Sequence, residues 1–211
     1  FADQDEFKRL YEQAERKTSI RKKTIPASAL FASFMEERKN TGRIYLQNVD
    51  HANEHSSFKT EVAPIKQSNL CCEIDLPTKP LNDFNDEEGE IALCTLSAVN
   101  WGNIRKPEDF KKPCELAVRG LDALLTYQDY PVKAAQASTM KRRPLGIGII
   151  NLAFFLAKND TNYSNPNLDL IDEYAEAWSY YLIKASADLA VEQGACPVSY
   201  THLTLPTILP V

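Results

Sequence analysis

The sequence predicts an α/β fold whose strands are covered on both faces, and three observations carry that prediction. Residues 91–100 form a largely apolar run without strict alternation, the pattern of a strand buried on both sides. Helical periodicity follows, from Pro107 to about Tyr127. A second apolar run, residues 145–151, carries Gly146 and Gly148 and is followed by another helical stretch ending near Gln193. A doubly covered strand set between long helices is the element mix of an α/β chain.

The bulk properties bound the function classes. A chain of 211 residues can bury a sizeable core, and 44% hydrophobic with 25% charged residues is the composition of a soluble globular protein. A net charge of -5 argues against a general nucleic-acid binder. The longest apolar run, residues 145–157, is 13 residues and is interrupted by Asn151, whereas a membrane span needs about 20. Phe1 is not a start residue, and no charged-then-apolar leader follows it. Five cysteines (Cys71, Cys72, Cys94, Cys114, Cys196), no C-x-x-C pair and three histidines argue against zinc and for free thiols in a reducing cytosol.

Taken in order, residues 3–17 place Phe7, Leu10, Tyr11 and Ala14 at helical spacing, with an acidic start and a basic end that suit the helix dipole. The run Arg21-Lys22-Lys23 is too short for a nucleic-acid patch and reads as a solvated turn. Pro26 opens a second helix with Leu30, Phe31, Phe34 and Met35 on one face. Gly42 ends the pattern, and residues 43–48 read as a strand. His51 and His55 stand at i and i+4, a spacing that can hold a metal on a helix. The surrounding Asn, Asp and Ser favour a polar loop, and no third ligand follows in sequence.

Residues 81–90 form an acidic loop that lacks the ligand periodicity of a calcium site. The strand at 91–100 places Cys94 in the sheet. The helix from Pro107 turns Phe110, Ala117, Leu121, Leu124 and Leu125 inward, and Pro131 closes the turn that follows. Gly146 and Gly148 resemble half a dinucleotide fingerprint, but Asn151 holds the place of the third glycine and no clear strand precedes them. Close backbone approach inside a packed barrel explains them better. The last helix buries Leu168, Ile171, Tyr174, Trp178, Tyr181 and Leu182 and stops at Gly194.

The chemistry concentrates at Ser68-Asn-Leu-Cys71-Cys-Glu-Ile74. If this stretch is extended, Asn69, Cys71 and Glu73 share one face at about 6–7 Å spacing, and Leu70, Cys72 and Ile74 share the other. A hydrogen-bond donor, a sulfur and a base then lie in reach of one small molecule. An amphipathic strand with two packed thiols accounts for the same spacing.

Five segments in order carry a resemblance: Thr41-Gly-Arg-Ile-Tyr45, Gln67-Ser-Asn-Leu-Cys71, Leu76-Pro-Thr-Lys-Pro-Leu81, Ile91-Ala-Leu-Cys94-Thr-Leu-Ser97 and Gln193-Gly-Ala-Cys-Pro197. From Phe1 to about Pro197 the chain resembles the class I, aerobic bacterial-type ribonucleoside-diphosphate reductase large (alpha) subunit. The resemblance implies part of a ten-stranded α/β barrel with a radical cysteine on a loop inserted into its centre. It implies that Cys71 becomes a thiyl radical and abstracts the 3′ hydrogen of a ribonucleoside diphosphate. By the same resemblance Glu73 takes the 3′-hydroxyl proton, Asn69 hydrogen-bonds the sugar hydroxyls, and residues 69–73, with Leu70 and Cys72 among them, lie against substrate. Cys94 matches one of two thiols that reduce the sugar as its 2′-hydroxyl leaves as water. The 22 residues between Cys71 and Cys94 suffice to return the chain so that both sulfurs flank one sugar.

The resemblance also implies a parent homodimer in the cytoplasm. Its radical comes from a separate small (beta) subunit with a dimetal centre, its effectors are ATP and deoxynucleoside triphosphates, and its reductant is thioredoxin or glutaredoxin. No metal or other cofactor is expected on this chain, and neither nucleic acid nor membrane is an expected partner. Cys72 departs from the family pattern, where a larger apolar residue is familiar, and is read as packing. The second redox thiol and the nucleotide-sensing domain are expected upstream; the radical-passing tyrosines, the phosphate loop and the shuttle cysteines are expected downstream. Residues 1–197 thus read as an internal fragment of the catalytic barrel domain.

Residues 198–211 contain no charged side chain, and Val198 to Thr207 looks like translated sequencing-adapter DNA, so they read as a non-native tail. Two alternatives stand beside this reading. One is a truncated chain without activity of its own, its strand edges unpaired. The other is a thiol redox or metal module built on Cys71-Cys72.

Overall fold

The computed structural model describes residues 3–201. The non-native reading of 198–211 therefore falls mostly outside the described residues. The chain divides into two units, one running to Thr78 and joined by Tyr200 and Thr201, the other Lys79–Ser199.

In the first unit, α1 (Gln4–Arg16) starts where Asp3 caps it, its carboxylate accepting from Glu6 N at 2.8 Å. Helix α2 (Ala27–Thr41) begins after Pro26 and ends at Gly42, whose φ of 65° takes the left-handed conformation. Both helices follow the sequence pattern, yet neither has a buried residue, and Phe31 and Leu30 stay exposed. Residues 43–48 are not a strand, because among the described residues no neighbouring strand pairs with them. The expected polar loop around His51 is instead a short helix, α3 (Val49–Glu54). Asn53 explains it: buried, it donates to Val49 O (2.7 Å) and Ile65 O (2.8 Å) and accepts from Ile65 N (2.8 Å). That network fixes the helix to Ile65, which is fully buried.

The second unit is a β-α-β arrangement. Strand β1 (Thr95–Asn100) pairs in parallel with β2 (Leu145–Ile150), Thr95 opposite Leu145 and Asn100 opposite Ile150. Between them run α4 (Lys111–Tyr127), preceded by a 3-10 turn at Pro107–Phe110, and α5 (Lys133–Arg142). The sequence pattern missed α5 because its buried positions are the small residues Ala134, Ala135, Ser138 and Thr139, which carry no apolar period. Helices α6 (Leu152–Lys158) and α7 (Leu168–Gln193) complete the unit. Asn167 caps α7 as its position suggests, accepting from Leu170 N at 3.2 Å.

Three expectations of burial are corrected. The strand is not covered on both faces: Leu96 on β1 and Ile150 on β2 are exposed, because only two strands of the sheet are present among the described residues. Leu124 on α4 and Leu168 on α7 also face solvent, each lying off the apolar stripe of its helix. The core gathers instead around Trp101, which meets Phe110 and Phe155 edge-on at 5.3 Å between ring centroids, with Tyr174 and Trp178 at 6.3 Å. Cys114 is buried in this cluster, and burial pushes its thiol up to about 11.

The end of α5 is tied down by two arginines. Arg143 takes a left-handed φ of 46° and donates to Asp122 Oδ1 (2.6 Å) and Thr126 Oγ1 (2.9 Å) on α4. Arg142 donates twice to Glu90 Oε2, at 2.7 and 3.0 Å, and Lys79 Nζ stands 3.5 Å from the other oxygen. Lys79 and Glu90 also exchange backbone hydrogen bonds of 3.1 Å, closing the acidic loop. The Glu90 and Arg142 side chains are 3% and 9% exposed, so the pair is buried.

Burial opposes the charge of Glu90, but its hydrogen bonds and attraction to Arg142, then Lys79, hold its carboxyl below the usual range. A depressed carboxyl stabilises the fold above its unfolded value and loses that contribution as pH falls through the folded one. Glu90→Gln should therefore cost about 3 kcal/mol at pH 7, because it leaves Arg142 unpaired. Denaturation midpoints of the two proteins should converge as the pH is taken below the carboxylate range; a gap that stayed constant from pH 7 into acid would contradict the ion pair's role.

Candidate active site

Residues 69–74 are not an extended strand but a tight loop tip. Cys72 N donates to Asn69 O at 3.1 Å, closing a four-residue turn, and Asn69 N donates to Ile74 O at 3.1 Å. Cys72 follows the turn at φ 61°, a left-handed conformation that is strained for a residue with a Cβ. The expected period-two alternation of Asn69, Cys71 and Glu73 therefore does not occur.

The side chains nonetheless converge, and Asn69 is the reason. Its Oδ1 accepts from Glu73 N and Ile74 N, both at 3.1 Å, which bends the backbone over the amide. Its Nδ2 donates to Glu73 Oε1 at 2.5 Å, so the carboxylate is held at the turn that carries Cys71. An amide, a thiol and a base are thus grouped by a turn rather than by a strand face. Cys71 is exposed, Leu70 is 90% exposed, and Cys72 is half-buried with Sγ 4.0 Å from Leu46 O.

Three residues outside the five-residue motif, Gln47, Ser68 and Asp75, complete the loop. Gln47 Oε1 accepts from Ser68 N at 3.1 Å, and its Nε2 donates to Asp75 Oδ1 at 2.6 Å. Sequence spacing carried no signal for this, since the partners lie 21 and 28 positions from Gln47.

Cys94 belongs to the second unit, half-buried and one residue before β1 rather than within it. Gly146 on β2 makes room for it: a Cβ there would meet Cys94 Sγ at 2.8 Å and collide with Leu96. The close backbone approach expected of these glycines is therefore present at Gly146. At Gly102, just after β1, a Cβ would likewise meet Phe154 at 2.8 Å.

The wide depression lined by Asn100, Asn103, Glu108, Asp109 and Lys112 contains none of Asn69, Cys71, Glu73 or Cys94. Among the described residues no three His, Cys, Asp or Glu side chains group as metal ligands, and no helix is long and apolar enough to cross a membrane.

Comparison with known proteins adds the following. The family description "Ribonucleotide reductase, barrel domain" matches residues 2–202. The ribonucleoside-diphosphate reductase subunit alpha of Haemophilus influenzae is 55% identical over 212 aligned residues, covering 100% of this chain and 28% of the relative. Ribonucleoside-diphosphate reductase 1 subunit alpha of Escherichia coli K12 is 56% identical with the same coverage. The subunit alpha of phage T4 is 48% identical over 196 residues, covering 92% of this chain and 25% of that protein. The chain spans about a quarter of the length of these curated relatives.

Proposed function

The chain belongs to the ribonucleotide reductase barrel-domain family, and we propose that it supplies the radical loop and one redox thiol of a ribonucleoside-diphosphate reductase alpha subunit. The observation that carries the proposal is the Asn69–Glu73 side-chain pair closed around the turn at Cys71. The reaction replaces the 2′-hydroxyl of a ribonucleoside diphosphate by hydrogen. Water leaves, and two thiols are oxidised to a disulfide, so atoms and electrons balance.

In this reading Cys71 Sγ, as a thiyl radical, takes the 3′ hydrogen and later returns it. Glu73 accepts the 3′-hydroxyl proton, and Asn69 orients both the carboxylate and the sugar hydroxyls. A base must lie within hydrogen-bond reach of the proton it removes, and a carboxylate tethered to the turn of Cys71 meets that requirement for a sugar seated on the sulfur. Cys94 is one of the two reducing thiols; its partner lies outside this chain.

The exposed tip needs a wall to keep water and stray hydrogen donors from a radical. The proposal assigns that wall to the barrel of the parent subunit. It assigns the radical source to a separate beta subunit carrying a dimetal centre. Nucleotide effectors, a thioredoxin- or glutaredoxin-type reductant, a homodimeric parent and a cytoplasmic setting belong to the same proposal.

The test is reconstitution. A full-length alpha subunit carrying this sequence, mixed with its radical-generating subunit, a dithiol reductant and a ribonucleoside diphosphate, should form the 2′-deoxynucleoside diphosphate. Product absent from a complex whose radical is demonstrably present would overturn the proposal.

A further inference from the structure

We propose that Gln47 is a positioning residue that holds Cys71 in register for hydrogen abstraction, an inference that rests on the radical-loop reading above. The tip of the loop is tied internally: Asn69 reaches Glu73 and Ile74, and every one of those bonds lies within residues 69–74. Internal ties keep the shape of the tip, but they do not fix where its two arms emerge, and the Cys72 Sγ–Leu46 O contact outside them is a long one of 4.0 Å. Gln47 grips both arms from outside. One arm is held through Ser68 N, three residues before Cys71, and the other through the Asp75 carboxylate, four residues after it.

The chemistry of the clamp is specific to a primary amide. Ser68 N–H needs an acceptor and the Asp75 carboxylate needs a donor, and Gln47 offers one of each on a single planar group. A leucine of similar size offers neither. A glutamate can still accept from Ser68 N–H, but it turns a second carboxylate toward Asp75. The bond to Asp75, 2.6 Å long and charge-assisted, is the stronger of the two. Hydrogen-atom transfer demands near-contact between sulfur and the sugar carbon, and a displacement of about 1 Å in such a geometry costs on the order of 100-fold in rate. The grip therefore acts on turnover and leaves substrate binding largely to other contacts.

The experiment uses the full-length subunit with its radical partner and a ribonucleoside diphosphate, measuring kcat and KM separately. Gln47→Leu should lower kcat by about 10–100-fold while KM changes by less than about threefold. Gln47→Glu should lower kcat similarly, because the two carboxylates repel. The double variant Gln47→Glu/Asp75→Asn should recover kcat to within about fivefold of wild type, since the new amide at position 75 donates to the new carboxylate at position 47. Unchanged kcat in Gln47→Leu overturns the proposal. So does a double variant no faster than Gln47→Glu alone, and that comparison decides the matter even if Gln47→Leu does not fold. Failure of the radical-loop reading itself is distinguishable: there Cys71→Ser would keep its turnover, whatever Gln47 does.

Discussion

On the proposed function, Cys71→Ser in a full-length subunit carrying this sequence should lower deoxynucleotide formation by at least about a thousandfold, equivalent to about 4 kcal/mol of lost transition-state stabilisation. Serine is nearly the same size and keeps a hydrogen-bonding group, so the turn closed by Cys72 N and Asn69 O has no steric reason to change. What changes is the bond that must be made and broken. An O–H bond is considerably stronger than an S–H bond, so an oxygen-centred radical at this position lies too high in energy to form from the radical supply.

The variant should therefore bind substrate and its radical partner with near wild-type affinity while turning over no product. Equilibrium binding of a ribonucleoside diphosphate, followed by a product assay on the same sample, separates the two effects. Retained turnover would remove the radical assignment. Loss of binding together with turnover would instead assign the side chain to substrate contact. Cys94, the proposed reducing thiol, offers the contrast, since such a thiol is needed after the first hydrogen transfer rather than for it. Cys94→Ser should still abstract the 3′ hydrogen, visible as exchange or substrate breakdown, but should not complete the reduction.

The sequence singled out Asn69, Cys71 and Glu73 as the candidate site and hid the way they are brought together. Asn69, Cys71 and Glu73 stand at alternate positions, which suggested a strand face. The structure groups them through a turn, because the Asn69 side-chain oxygen Oδ1 accepts from two backbone N–H groups ahead of it. A side chain that competes for backbone donors in this way overrides period-two patterning. The same limit applies at Gln47, whose partners 21 and 28 residues away fall outside any local pattern. It applies again at α5, where small buried residues replace an apolar stripe.

What local patterning did convey were helix ends. The caps Asp3 and Asn167 and the terminators Gly42 and Gly194 all work within a few residues of chain. The apolar run of β1 was legible as a strand, but its coverage was not, and β2 was read only as glycines inviting close backbone approach. Coverage depends on neighbours, and this chain spans about a quarter of its relatives' length.

The largest stability effect is expected at Trp101. It sits just past the end of β1, 1% exposed, with four aromatic rings packed near it. Lys158 Nζ caps the carbonyls that follow, Gly102 O at 3.0 Å and Ile104 O at 2.6 Å, so the backbone around the indole has little freedom to collapse inward. Truncation to alanine should thus leave most of its cavity open and cost about 3–5 kcal/mol. Trp101→Phe isolates the cause. The indole Nε1 is buried without a hydrogen-bond partner among the described residues, so phenylalanine removes an unpaired donor while giving up only part of the ring volume. Relief of that buried polar group, about 1–3 kcal/mol, offsets much of the smaller cavity. Trp101→Phe should therefore fall within about 1.5 kcal/mol of wild type, and Trp101→Ala well below it. Urea denaturation followed by the Trp178 fluorescence that both variants retain measures the difference. Equal losses in the two variants would mean that the indole N–H, not the packed ring, is what the core requires, and that it has a partner after all.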